Sequence, residues 1–268
     1  MGERVHELTN VAVHKTAAIA TVTLNRPDVL NAASPDMMRD LSEALGIVAN
    51  DDSVRAVIVN GAGSSFSAGG DIEKDVARLA NMKPAEYKRY IQGFFWPVRQ
   101  IAEMAKPVIA AIHGYVIGAG FDIAMSCDIR IAGQSAKLGN AYMKMGLPPL
   151  GGSLYFTCQA AGAGNAKYML LTGDFIAAEE ACRMGLIAKV VPDATLNQET
   201  MDLADRLAKG PTKTIAVTKL AVNKLLGMDF VASTDYCQNL ALELFETEDH
   251  REALTAFREK RKPEFKGK

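Results

Sequence analysis

Apolar and β-branched positions partly alternate from Ala18 to Leu24, which predicts a strand. The polar stretch Asn25 to Asp28, with Pro27 inside it, ends that strand. Ser34 followed by Pro35 marks a helix start, pairing a capping hydroxyl with proline at the first helical position. Met38, Leu41, Leu45 and Val48 then recur at spacings of three and four, the stripe of an amphipathic helix. Arg55 to Asn60 is a compact apolar run closed by Gly61, as in a strand buried on both faces of a parallel sheet. The grammar repeats with a helical stretch from Pro84 to Met104, a strand from Pro107 to His113, a short helix from Phe121 to Ser126 and a strand around Asp128 to Ala132. Strands alternating with helices predict right-handed βαβ units. Beyond about residue 195 strand signals stop, and 197–208, 211–226, 230–246 and 249–261 read as helices. The expected organisation is an α/β core over 1–195 and a helical region over 196–268 that docks on another subunit.

Two small-residue loops stand out against this frame, FSAGGDI at Phe66–Ile72 and GYVIGAG at Gly114–Gly120. Each follows a short apolar run and precedes a helix-like stretch, so each offers backbone N–H groups where a side chain would intrude. Ligands of open α/β sheets gather beyond the carboxyl ends of the strands, which places both loops at one expected site. Two N–H groups aimed at one point make an oxyanion hole. Neither loop has the spacing of a dinucleotide fingerprint or a P-loop. Asp122 follows the second loop. In an apolar pocket its pKa would rise toward neutrality and suit proton transfer; the plainer alternative is an aspartate favoured by a helix start.

Composition narrows the partners. The chain has 268 residues, 49% hydrophobic, with 30 Lys and Arg against 31 Asp and Glu. That balance argues against nucleic acid and anionic membranes as partners. The basic tail Arg258–Lys268 is the local exception, and a solvated helix end accounts for it. Four cysteines, Cys127, Cys158, Cys182 and Cys237, show neither metal-ligand nor disulfide-framework spacing, so no metal site is expected. With no apolar leader and no stretch of membrane-spanning length, the expected location is the cytoplasm.

The ordered series TVTLNRP (Thr21–Pro27), FSAGGDI, KPVIAAIHGY (Lys106–Tyr115), CDIRIA (Cys127–Ala132), LTGD (Leu171–Asp174), ACRMGLI (Ala181–Ile187) and FREKRKP (Phe257–Pro263) resembles the crotonase, or enoyl-CoA hydratase/isomerase, superfamily over nearly the whole chain. The resemblance implies a spiral of ββα units with a C-terminal helical trimerisation region. It also implies an acyl-CoA thioester substrate, a homotrimer or dimer of trimers, and no cofactor beyond the CoA of the substrate. By the same resemblance the oxyanion hole is the N–H of Gly70 and of Ala119. CoA would be met around Ala68, Asp71 and Ile72, by the segment of Arg26 and Leu30, and by Phe257 and Lys260, in some members from the neighbouring subunit.

Two-carboxylate hydratases of the family carry one glutamate three residues past the second oxyanion residue and another some twenty residues on. Here those positions hold Asp122 and Tyr142, and GLPPLGG (Gly146–Gly152) is one residue shorter than the common pattern. Asp122 is the expected acid/base and Tyr142 its assistant, with an aromatic wall as the alternative for Tyr142. The expected chemistry is of the hydratase/isomerase type through a thioester enolate. A decarboxylase or carbon–carbon bond hydrolase of the same superfamily, and a non-catalytic CoA-binding scaffold, are the alternatives. His113, Lys144 and Asp128 read as structural, while Phe94, Phe95, Trp96 and Met104 either line the acyl pocket or pack.

Overall fold

The computed structural model describes residues 3–73, 79, 82–225 and 227–268. Its strands are β1 (Glu3–Glu7), β2 (Val11–Thr16), β3 (Ile19–Leu24), β4 (Ala56–Gly61), β5 (Val108–Ile112), β6 (Tyr115–Ile117), β7 (Ile129–Gly133), β8 (Lys137–Gly139), β9 (Ile176–Ala177) and β10 (Lys189–Val191). The main sheet has the order β1-β2-β3-β4-β5-β7-β10, and a small second sheet the order β6-β8-β9. β1 to β3 form an antiparallel meander, whereas every pairing from β3 to β10 across the main sheet is parallel.

The helices are α1 (Pro35–Asn50), α2 (Pro84–Phe94), α3 (Trp96–Glu103), α4 (Ala119–Ser126), α5 (Ser153–Thr172), α6 (Ala178–Arg183), α7 (Leu196–Ala208), α8 (Thr212–Leu225), α9 (Phe230–Phe245) and α10 (Glu248–Glu259). The Ser34 cap forms as expected, its Oγ accepting from Met37 N at 3.2 Å with Pro35 opening α1. Because side chains alternate along a strand, β4 divides its run between two cores. Val57 and Val59 pack with Leu41, Leu45 and Val48 of α1. Ala56 and Ile58 pack on the other face with Leu196, Ala204 and Ala208 of α7. Thus α7, first helix of the 196–268 region, lies on the sheet itself.

Several elements differ from the sequence pattern. β1 and β2 precede the first expected strand; in β2 His14 and Lys15 blur the apolar alternation. The stretch 84–104 is two helices, interrupted at Phe95 and restarted with Pro97 in the first turn of α3, a position where proline's missing N–H does no harm. Helix α5 has no periodic apolar stripe to reveal it and is broken at Gly162, where φ is 72°. The helical stretch expected after the first glycine loop falls largely on 74–78, 80 and 81, outside the described residues, as does 226 at the end of the stretch 211–226. Among the described residues, no helix is long and apolar enough to cross a membrane.

Candidate active site

The first glycine loop is held by its own backbone. Phe66 N donates to His113 O, Ser67 N to Tyr115 O, Ala68 N to Leu30 O and Asp71 N to Ala33 O, all within 2.8–2.9 Å. Gly69 N donates to Ser67 Oγ at 3.3 Å. Gly70 N is the one left over from Phe66 to Asp71 without an acceptor among the described residues. Beneath the loop, Asn31 is fully buried and left-handed at φ 54°. Its Nδ2 donates to Ala62 O and Ser65 O at 2.8 Å each. Arg26 joins the same support through an ion pair with Asp71 at 3.0 Å and a bond to Ala32 O. Arg26, Leu30 and Asp71 therefore anchor the loop.

The second loop ends in α4, two residues earlier than the sequence pattern places the helix. Gly118 supplies the turn with φ 51° and ψ −117°, and Ala119 becomes the first helical residue. An N–H in a first helical turn has no partner within its helix and carries the positive end of the dipole. Gly118 N donates to Gly139 O and Ile117 N to Ser67 O, each at 3.0 Å, which locks this loop to the first. The approach is close enough that a Cβ on Gly120 would stand 2.6 Å from Ser67 Cβ. Gly70 and Ala119 line one cavity of about 290 Å³, together with Ala68, Ile72, Phe94, Phe95 and Tyr142.

Behind Tyr142 lies a sealed carboxylate. Asp122 is fully buried. Its Oδ2 accepts from Tyr142 Oη at 2.7 Å and its Oδ1 from Ser153 N at 2.7 Å. Desolvation pushes the Asp122 pKa up to about 6, against the lowering pull of hydrogen bonds from Ser153, Tyr142 and Gly151. Asn140, also fully buried, donates to Ser153 Oγ at 2.9 Å and accepts from Tyr142 N at 3.2 Å. One amide thus orients both partners of Asp122. Gly151 closes the remaining side: a Cβ there would lie 2.4 Å from the Phe95 ring and 2.5 Å from Asp122 Cγ. Tyr142 lines the cavity, and Asp122 reaches it through the phenol.

The other expected residues divide. Phe94 and Phe95 line the cavity, Trp96 is half exposed with Arg99 over its ring, and Met104 packs in the core. His113 Nε2 donates to Gly63 O at 3.0 Å, a structural role. Asp128 has a partner that the linear sequence did not reveal, Lys219 Nζ at 2.9 Å; burial still raises its pKa. Burial likewise pushes the Cys127 thiol up to about 12. Phe257 and Lys260 sit at the end of α10, with Phe257 84% exposed, and neither lines the cavity. Sequence reasoning missed Asn31, Asn140, Gly151 and Ser153. Only Ser153 left a signal, a small polar residue after paired glycines at a helix start.

A family model described as enoyl-CoA hydratase/isomerase matches residues 14–268. The chain belongs to the enoyl-CoA hydratase/isomerase family. Among its relatives, the short-chain-enoyl-CoA hydratase of Clostridium acetobutylicum is 36% identical over 259 residues, covering 96% of this chain and 98% of its own. The 1,2-epoxyphenylacetyl-CoA isomerase of Escherichia coli is 35% identical over 256 residues, covering 95% and 97%. Among solved structures, the enoyl-CoA hydratase from Bacillus anthracis matches with a TM-score of 0.90 at 29% identity, over 97% of this chain and 100% of that one. Two relatives of near-equal identity carry different activities in their names. Membership in the enoyl-CoA hydratase/isomerase family therefore defines a class of chemistry, and the side chains of the cavity must select the reaction.

Proposed function

We propose that this enzyme transforms acyl-CoA thioesters through an enolate held by the N–H groups of Gly70 and Ala119, with Tyr142 and Asp122 moving the proton. The observation that carries this reading is the Tyr142 Oη to Asp122 Oδ2 hydrogen bond of 2.7 Å on the wall of the cavity that both N–H groups line. Two aimed donors stabilise the charge that develops on the thioester oxygen, and each is worth about 3–4 kcal/mol in such holes. A phenol ordinarily ionises near pH ~10 and is a donor at neutrality. Hydrogen-bonded to the Asp122 carboxylate, its oxygen can take the proton from the carbon beside the thioester as its own proton passes to Asp122, and the reverse transfer returns a proton to the γ carbon. This pair stands where two-carboxylate hydratases carry glutamates, so the member is atypical and proton transfer within the acyl group is favoured over the clamping of a water. The chemistry asks for no group beyond the CoA of the substrate, whose nucleotide end the segment around Arg26, Leu30, Ala68, Asp71 and Ile72 borders.

Mass spectrometry of products from linear, branched and cyclic enoyl-CoA esters in heavy water tests the reading. Deuterium is expected beside the thioester carbonyl or at the γ carbon, with isomerised or hydrated product. Tight binding without exchange or turnover on any ester would instead favour a scaffold.

Residues 196–268 are proposed as the oligomerisation region of a trimer or dimer of trimers. Support comes from exposed apolar side chains on α8 and α9, among them Val222, Phe230, Val231, Leu242 and Phe245. A patch of this kind marks an interaction surface. In the assembly, Phe257 and Lys260 approach the CoA of a neighbouring subunit. Light scattering is expected to give three or six times the mass of the chain, and a monomer would reject the assignment.

A further inference from the structure

Resting on the acyl-CoA reading, we propose that Lys144 recognises a carboxylate carried by the acyl group, which makes the preferred substrate an acyl-CoA with an anionic acyl end. Of the side chains that line the cavity among the described residues, only those of Tyr142 and Lys144 are polar. The Tyr142 hydroxyl donates to Asp122 at 2.7 Å. Lys144 is paired with no carboxylate among the described residues; its Nζ stands 4.0 Å from the centroid of the Phe175 ring. An aromatic face holds a cation in place and leaves its charge available to an anion. The ring is itself fixed against β8, where a Cβ on Gly139 would meet it at 2.2 Å. The turn Ala141–Met145 that carries Lys144 is pinned at its start by Asn140, whose Oδ1 accepts from Tyr142 N at 3.2 Å. A neutral acyl chain gains nothing from this charge. A carboxylate gains a charge-assisted hydrogen bond from this exposed ammonium.

The anion could also be a phosphate of CoA, and the experiment separates the two sources. Glutaryl-CoA and pentanoyl-CoA have equal chain length and differ in a terminal carboxylate against a methyl group. Isothermal titration calorimetry of the full chain with each ester, and with the 3′-dephospho form of each, reads affinity without requiring turnover. The wild type is expected to bind glutaryl-CoA about tenfold more tightly, the scale of one hydrogen bond to a charged group. Lys144→Met is expected to abolish that preference and leave the affinity for pentanoyl-CoA unchanged, while Lys144→Arg retains the preference. Equal affinity of the two esters for the wild type would overturn the proposal. So would an equal loss on both esters in Lys144→Met that disappears with the dephospho forms, which would assign the lysine to the nucleotide. Failure of the enolate mechanism would appear as absent deuterium exchange with the binding preference intact. Failure of both esters to bind would remove the acyl-CoA reading and this inference together.

Discussion

Asp122→Asn is expected to lower kcat by ~10²–10⁴-fold, the range for losing a positioned acid or base, while the folded protein becomes no less stable above pH 6. Both effects have one cause. Burial raises the folded pKa of Asp122 from 3.8 to about 6. Between those values the unfolded chain has released the proton and the folded chain still holds it. The folded state therefore binds more protons, and stability falls as pH rises through this window. Above it the penalty is constant at about 3 kcal/mol. Asparagine removes the ionisation and keeps an oxygen for the Ser153 N–H. Thermal unfolding should show the variant level with the wild type at pH 4 and equal or higher at pH 8. In wild-type kinetics kcat should drop below about pH 6, as a protonated Asp122 can no longer receive a proton from Tyr142, and the variant should lack this limb. An Asn variant with full turnover on every ester would reject the role, as would one that is destabilised at pH 8 yet normally active.

Gly151→Ala should reduce turnover by about 100-fold or more and destabilise the fold by about 1–3 kcal/mol. The added methyl has nowhere to go: its position lies 2.4 Å from the Phe95 ring and 2.5 Å from Asp122 Cγ. Phe95 must leave the acyl wall or Asp122 must leave Tyr142, and displacement of a catalytic group by about 1 Å is enough for a loss of this size. Gly46→Ala on α1 is the control, since nothing lies within 4 Å of the place its methyl would occupy. Kinetics and unfolding of the two variants should separate widely. A Gly151→Ala enzyme with wild-type kcat would show that the close packing around Asp122 is dispensable.

Much of the frame was legible because it depends on local rules. Ser34 with Pro35 starts α1, Val57 and Val59 alternate with Ala56 and Ile58 along β4, and both glycine loops follow strands. Phe95 was less legible. A break between two helices that share an apolar pattern leaves a weak trace, and only Pro97 hinted at it. The pairing of Asp128 with Lys219, 91 positions apart, had no local trace at all.

The site divides along the same line. The order of motifs along the chain determined the family, the two loops and the residue types at 122 and 142, because these are properties of neighbours in sequence. Only the tertiary structure decided that Gly70 N–H is the one left in its loop without an acceptor among the described residues, since the acceptors for the rest come from Leu30, Ala33, Ser67, His113 and Tyr115. Only folding seals Asp122 behind Tyr142, with Asn140 and Ser153 orienting the pair. Burial and hydrogen-bond direction are set by segments that meet in space, and these turn an ordinary aspartate into one that titrates at about 6.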